Sequence, residues 1–263
     1  GDWMPIKMFV NHAGKFSALE NGLEEFSGFW SGITAGDFDR DGDVDFVVGN
    51  LGTNTKLRKS LDGKLKMYIK DIDKNDTKEH IIGYSRGDEW YPINSKDEMG
   101  KQMPSIINKK YTNYKDFAGK SLAELFNENE LDGSEEKLVN TFESVYLENT
   151  GGGKFKMSAL PSLAQVSKIM VLRSEDVDQD GKLDVLIGGN FNGASMYQAR
   201  YDAFFGLILK GDGKGHFKAL VPTDTGFLQE GDVRDIKTVR TPKGPLYFVT
   251  RNNENIQLFR KLP

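Results

Sequence analysis

The stretch Asp37-Phe38-Asp39-Arg40-Asp41-Gly42-Asp43-Val44-Asp45 places carboxylates at positions 1, 3, 5 and 9 of nine residues, with glycine at position 6. The pattern recurs in Asp176-Val177-Asp178-Gln179-Asp180-Gly181-Lys182-Leu183-Asp184. Alternate positions of a tight turn point to one side, and glycine at position 6 lets the chain reverse sharply. The carbonyl at position 7, from Asp43 or Lys182, can then face the same centre. Calcium takes six to eight hard oxygens at about 2.3–2.6 Å, which such a loop can supply, whereas magnesium demands a smaller octahedral site that keeps several waters. Without a cation, carboxylates this close repel one another or take up protons. The expected ligands are therefore Asp37, Asp39, Asp41, Asp43 and Asp45 in one loop, and Asp176, Asp178, Asp180, Lys182 and Asp184 in the other.

A less regular third loop sets Asp71, Asp73, Asn75, Thr77 and Glu79 at positions 1, 3, 5, 7 and 9, with Asp76 where the others have glycine. It reads as a third candidate calcium site. An EF-hand is excluded. Its loop runs to twelve residues and ends with an acidic ligand on a helix, whereas position 12 here is Val48 or Ile187. Both stand in runs of β-branched and apolar residues that read as strands.

Working outward, each loop belongs to a repeat. A short apolar strand and a glycine-rich turn precede it: Ile6 to Asn11 before His12-Ala13-Gly14-Lys15-Phe16, and Ser144 to Asn149 before Gly151-Gly152-Gly153-Lys154-Phe155. Asp37 stands 21 residues after Phe16, and Asp176 stands 21 after Phe155. A third copy, Gly206 to Lys210 before Gly211-Asp212-Gly213-Lys214-Gly215-His216-Phe217, reaches Thr238 at the same spacing. There the acidic residues are gone, but the strand Leu246-Tyr247-Phe248-Val249 persists. A fourth unit starts at the hairpin Asp62-Gly63-Lys64 and carries the Asp71 loop.

Residues 95 to about 130 break the β pattern. Ser95 with Glu98 reads as a capping box, Ser121 to Phe126 has helical composition, and Pro104 should interrupt the helix. The expected fold is all-β, a single repeat domain over 1–263 with a helical insertion around 95–130. Units of about 1–57, 58–94 with the insert 95–140, 141–203 and 204–263 would stack like propeller blades.

Composition narrows the function classes. The net charge is −4 with the acidity clustered, so no nucleic-acid footprint is expected. No apolar run is long enough to span a membrane. With no cysteine there is no disulfide, thiolate zinc site or cysteine nucleophile. The 29 glycines against 8 prolines suit a fold made of many tight turns. The chain opens Gly1-Asp2-Trp3-Met4 and enters a strand-like segment without a signal sequence. Together with the repeats, this reads as a piece of a longer protein.

Gly36-Asp37-Phe38-Asp39-Arg40-Asp41-Gly42-Asp43-Val44-Asp45, followed by Val47-Val48-Gly49-Asn50, resembles the FG-GAP/VCBS repeat shared with the propeller of integrin α subunits. In that family the nine-residue loop joins two strands of a blade and holds calcium. Tyr146 to Asn149, Gly188 to Phe191, Arg200 to Ala203 and Gly211 to Gly213 are similar to the C-terminal part of large VCBS-repeat proteins of Bacteroidetes-type bacteria. The resemblance implies an exported protein, periplasmic, outer-membrane-anchored or at the cell surface. Because the chemically distinctive residues are all spent on metal loops at blade turns, the expected role is a non-catalytic calcium-binding module that serves assembly or the binding of a protein or glycan ligand. The last unit lacks ligands, and four units are fewer than the seven of a closed FG-GAP propeller. The alternative is a calcium-stabilised polysaccharide lyase or glycosidase, with Asp202 and Glu230 as imaginable members of its site.

Other patterns carry less. Gly83-Tyr84-Ser85-Arg86-Gly87 matches a nucleophile elbow, which needs a helix behind its serine. Asp88-Glu89-Trp90-Tyr91-Pro92 cannot start one promptly, so a hairpin or loop is expected. Lys109, Lys110, Tyr111, Tyr114 and Lys115 interleave charge and aromatics, and read as a solvated helix face with tyrosines packed down. Phe29, Trp30, Trp90 and Tyr91 could stack on sugars but read as core.

Overall fold

In the computed structural model, residues 1–57, 63–195, 197 and 200–261 are described, Glu128 by its backbone alone. Asp62, the first residue of the expected hairpin at 62–64, lies outside them. Strands take 41% of the residues and helices 14%, in several small antiparallel sheets. That bears out the all-β class. Neither a closed barrel nor a propeller is found among the described residues, so the all-β class stands without the expected arrangement of blades.

The chain divides into two compact units. The first is Gly1–Thr55 with Phe142–Pro263, and the second is Lys56–Thr141. The inserted unit is therefore wider than the helical stretch around 95–130, and it includes the Asp71 loop. The physical reason is strand pairing, because among the described residues the strands of 56–141 bond only to one another.

In chain order, the first unit begins with β1 (Asp2–Pro5), β2 (Met8–His12), β3 (Lys15–Leu19), β4 (Ser27–Phe29), β5 (Ile33–Gly36) and β6 (Asp45–Val48). The second unit holds β7 (Leu65–Lys70), β8 (Glu79–Arg86), β9 (Glu89–Pro92) and β10 (Glu135–Val139) in the order β10-β7-β8-β9. Four short α-helices lie between β9 and β10: α1 (Lys96–Gln102), α2 (Tyr114–Phe117), α3 (Leu122–Leu125) and α4 (Glu128–Leu131). A π-helical turn, Pro104–Asn108, follows α1. Proline lacks the N–H that would continue α1, so the break falls where expected. Ser95 and Glu98 form the expected capping box, and Ser121 and Glu124 form another.

β8 alternates buried and open residues along its length, so one face is core. Ile81 on that face is packed with Met99, Met103, Ile107, Leu122 and Leu125 of the helical stretch in one apolar cluster. Burying those side chains is what holds helices too short to be stable alone.

The first unit resumes with β11 (Val145–Asn149), β12 (Phe155–Ala159), β13 (Ile169–Glu175), β14 (Asp184–Gly189), β15 (Leu207–Gly211) and β16 (Phe217–Leu220). A short helix α5 (Pro222–Thr225) leads to β17 (Val233–Thr241), β18 (Gly244–Arg251) and β19 (Gln257–Arg260). Two four-stranded meanders result, β5-β6-β11-β12 and β13-β14-β15-β16, followed by the three-stranded β17-β18-β19. Two-stranded pairs β1-β4 and β2-β3 complete the unit.

The sheets are out of phase with the repeat boundaries expected from sequence. β11, near the head of the expected unit 141–203, pairs back onto β6, with Val145 opposite Val48 and Leu147 opposite Phe46. A sheet thus runs from one acidic loop to the glycine-rich hairpin of the next repeat, and its boundary falls between β12 and β13. In the last sheet Thr238 lies within β17 opposite Tyr247, and a tight turn between Thr241 and Gly244 replaces the acidic loop.

Buried asparagines tie the ends of these sheets. Asn50 Oδ1 accepts from the N–H groups of Phe29 and Leu51, at 2.9 and 2.7 Å. Asn190 bonds Phe204 through both ends of its amide, at 2.7 and 3.0 Å. Fully satisfied polar groups of this kind fix one packing arrangement where apolar contacts alone would tolerate several.

Candidate metal centres

Each acidic loop leaves one antiparallel strand and returns as its neighbour: β5 to β6, β7 to β8 and β13 to β14. The three loops share a backbone. Position 4 is left-handed in each, with φ of 66° at Arg40, 60° at Lys74 and 65° at Gln179. Position 6 is left-handed as well, with φ of 99° at Gly42, 66° at Asp76 and 82° at Gly181. Asp76 thus adopts the conformation that glycine supplies elsewhere, as aspartate can in isolated left-handed residues.

The internal hydrogen bonds repeat too. The position-2 N–H donates to the position-9 carboxylate: Phe38 to Asp45 at 3.1 Å, Ile72 to Glu79 at 2.7 Å, and Val177 to Asp184 at 3.0 Å. The position-7 N–H donates to the position-5 side chain: Asp43 to Asp41 at 3.0 Å, Thr77 to Asn75 at 2.8 Å, and Lys182 to Asp180 at 3.0 Å. Asp71 and Asp176 also accept from the N–H groups of positions 5 and 6. Side-chain acceptors of this kind are what hold Asx-type turns.

Three groups of carboxylates converge. Oxygens of Asp37, Asp39 and Asp41 lie within 4.8 Å of one another, as do those of Asp71, Asp73 and Glu79, and those of Asp176, Asp178 and Asp184. Each group could hold a metal ion. Buried oxygens without partners point the same way: Asp37 Oδ1, Asp43 Oδ1 and Asp73 Oδ1 accept no hydrogen bond. A buried carboxylate oxygen without a donor is costly, and a cation removes that cost. The donor set is all oxygen, which suits a hard divalent ion rather than a soft one.

The expected ligands do not all fall in these groups. Asp45 is fully buried and spends both oxygens on protein donors. Oδ2 accepts from Phe38 N–H and from the Tyr146 hydroxyl at 2.7 Å, and Oδ1 accepts from Asn149 N–H at 2.8 Å. Asp184 bonds Val177 and Gly211 in the same manner but still faces its partners Asp176 and Asp178. Asp180 turns instead to two ammonium groups, Lys182 at 3.2 Å and Lys210 at 3.5 Å. Asp43, Asn75, Thr77 and Lys182 close the loops through the position-5 to position-7 bonds. Sequence reasoning missed Tyr146, Asn149, Gly211 and Lys210, which reach the loops from the neighbouring strand, and Ser105, whose hydroxyl donates to Asp73 at 3.1 Å.

Electrostatics separates the loops. Burial, with the charges of Asp45, Asp41 and Asp37, raises the Asp39 carboxyl above its ordinary value against one opposing backbone bond. Burial and the neighbouring aspartates raise Asp43 likewise. In the Asp176 loop burial raises Asp184, relieved in part by the Gly211 and Val177 bonds. Asp180 also feels burial, but the bonds and charges of Lys182 and Lys210 outweigh it and hold its carboxyl low. Lys210 also pairs closely with Asp178. A cation already leans on the Asp176 loop, while among the described residues no ion pair reaches the carboxylates of the Asp37 loop.

The remaining sequence patterns dissolve into structure. Ser85 is a buried residue of β8, and the turn at Gly87 leads to β9 rather than a helix, so no elbow forms. Tyr111 is buried and donates to the Leu125 carbonyl at 3.2 Å, whereas Tyr114 is exposed and bonds Asp97. Phe29 and Trp30 are core, and Trp90 packs at the edge of the helical cluster. Asp202 and Glu230 are both exposed. No helix among the described residues is long and apolar enough to cross a membrane. Comparison with protein-family models and with curated proteins finds no match for this chain.

Proposed function

We propose that this chain is a calcium-stabilised, non-catalytic β-repeat module of the FG-GAP/VCBS type, carried by an exported bacterial protein and serving attachment to a protein or glycan. The observation that carries this reading is the shared loop geometry: three nine-residue loops, at equivalent strand junctions, each gather three carboxylates around one point. On this reading Asp37, Asp39 and Asp41 hold one calcium, Asp71, Asp73 and Glu79 a second, and Asp176, Asp178 and Asp184 a third. The ion supplies positive charge to carboxylates that otherwise repel, and so fixes the turn between two strands. Asp45, already bonded to β11, holds its loop against the next strand of the sheet. The four-stranded meanders and the junction of the loops with their first two strands support reading each sheet as one propeller blade.

Calcium sites of extracellular modules bind at roughly 10⁻⁴–10⁻³ M, a range filled outside the cell and left empty in the cytosol. Export and calcium dependence therefore support one another. Isothermal titration of the purified chain with calcium tests the proposal. Saturation with two or three equivalents, and none with the aspartates at position 1 replaced, is the expected result. An absence of heat or of any stability change at millimolar calcium would refute it.

A further inference from the structure

The β2–β3 hairpin has two counterparts in the same unit, and they show what it lacks. Asn11 stands opposite Phe16, Asn149 opposite Phe155, and Gly211 opposite Phe217. This register equates β2 with β11 and β15. Those two are inner strands, β11 paired on its far side with β6 and β15 with β14. Among the described residues, β2 pairs with β3 alone.

Burial follows the missing strand. Leu147 and Leu209 are 1% and 0% exposed, while Phe9, at the same place in the register, is 56% exposed. Phe155 of β12 packs on Phe46 of β6, the strand beyond β11, with ring centroids 5.8 Å apart, while its counterpart Phe16 is 70% exposed. An open strand edge carrying large apolar side chains is a pairing site that proteins otherwise blunt.

The two filled edges describe the occupant. The strand beside β11 is headed by Asp45, whose Oδ1 accepts from Asn149 N–H at 2.8 Å. The strand beside β15 is headed by Asp184, whose Oδ1 accepts from Gly211 N–H at 3.0 Å. An apolar residue follows each, Phe46 or Val185. Asn11 holds the donor position in β2. Charge agrees, since the segment from Ile6 to Leu19 carries Lys7, His12 and Lys15 and no acidic residue.

We propose that β2 is a docking edge for an antiparallel strand headed by aspartate and continued by apolar residues, in the manner of Asp45-Phe46-Val47-Val48. The strand comes from a further acidic-loop strand pair, adds to the hairpin by main-chain hydrogen bonds, and covers Phe9 and Phe16. Strand register and burial carry this, with or without an ion in the loops.

The test joins an additional copy of the Ile33–Val48 sequence to Gly1 of the full chain through a flexible linker, which raises its effective concentration to the millimolar range. Hydrogen exchange at the Phe9 and Asn11 amides should slow by about tenfold or more on docking. Phe9→Lys in the linked chain should abolish that protection without changing the fold, because the side chain is exposed in the parent. Leu258→Lys, at another exposed apolar residue, should leave it intact. Unchanged exchange at β2, or protection arising at β12 or β16 instead, would overturn the proposal. So would protection of β2 in the unlinked chain that rises with protein concentration, which would make a second copy the occupant.

Discussion

The hydroxyl of Tyr146 donates to Asp45 Oδ2 at 2.7 Å, joining the last position of an acidic loop to a strand 101 residues further along the chain. The bond crosses the insertion of the second unit and closes the sheet β5-β6-β11-β12. Asp45 is buried, so the loop is anchored from beneath whether or not an ion sits above it. Tyr146→Phe removes one donor from a buried carboxylate, and should cost about 1.5–3 kcal/mol, the usual worth of a hydrogen bond to a charged group. Urea unfolding in the presence and absence of calcium checks this, and the loss should appear in both.

Gly42 and Gly181 occupy left-handed positions with φ of 99° and 82°, and a Cβ added at either would meet nothing within 4 Å. The cost of Gly42→Ala or Gly181→Ala is therefore one of backbone conformation alone, about 1–2 kcal/mol. Chemical unfolding should show both losses, while calcium binding persists with reduced affinity.

Lys210 leans on Asp178 and Asp180, whereas the residue at its place in β11 is Glu148. Calcium entering the Asp176 loop must displace that ammonium group. Lys210→Met should strengthen binding at that loop by no more than about fivefold, because an exposed ion pair contributes little. The Asp37 loop should not respond, and a two-site calorimetric fit separates them.

Burial and the neighbouring aspartates hold the Asp39 and Asp43 carboxyls above the ordinary range. A raised carboxyl penalises the folded state where it is ionised, and the penalty fades as pH falls and the group takes up its proton. Calcium requires the ionised form, so protons compete with it. The calcium-induced gain in Tm should be full at neutral pH and shrink as pH falls into the range where these carboxyls take up protons, which begins above the ordinary carboxylate range.

Much of this was legible in the sequence, for identifiable reasons. The loops were readable because their ligand types sit at fixed short spacings, and local turn chemistry sets their backbone. The Ser95 capping box and the break at Pro104 were readable for the same reason. Strand pairing was not. Nothing in Val145 to Asn149 signals that it bonds back to β6 across the second unit, so the sheets came out half a repeat from the expected boundaries. The same blindness hid Tyr146, Asn149 and Lys210, whose roles exist only once β11 and β15 lie beside the loops. Asp45 and Asp41 look equivalent in a motif, and only burial distinguishes an anchor from a candidate ligand.

Thermal unfolding of the full chain shows whether calcium fills the acidic loops and staples their strands. With excess chelator Tm should fall, and about 2 mM calcium should restore it, each filled site contributing on the order of 1–2 kcal/mol. Asp39→Ala and Asp178→Ala should each remove part of that gain. Identical melting curves with chelator and with calcium would contradict the account.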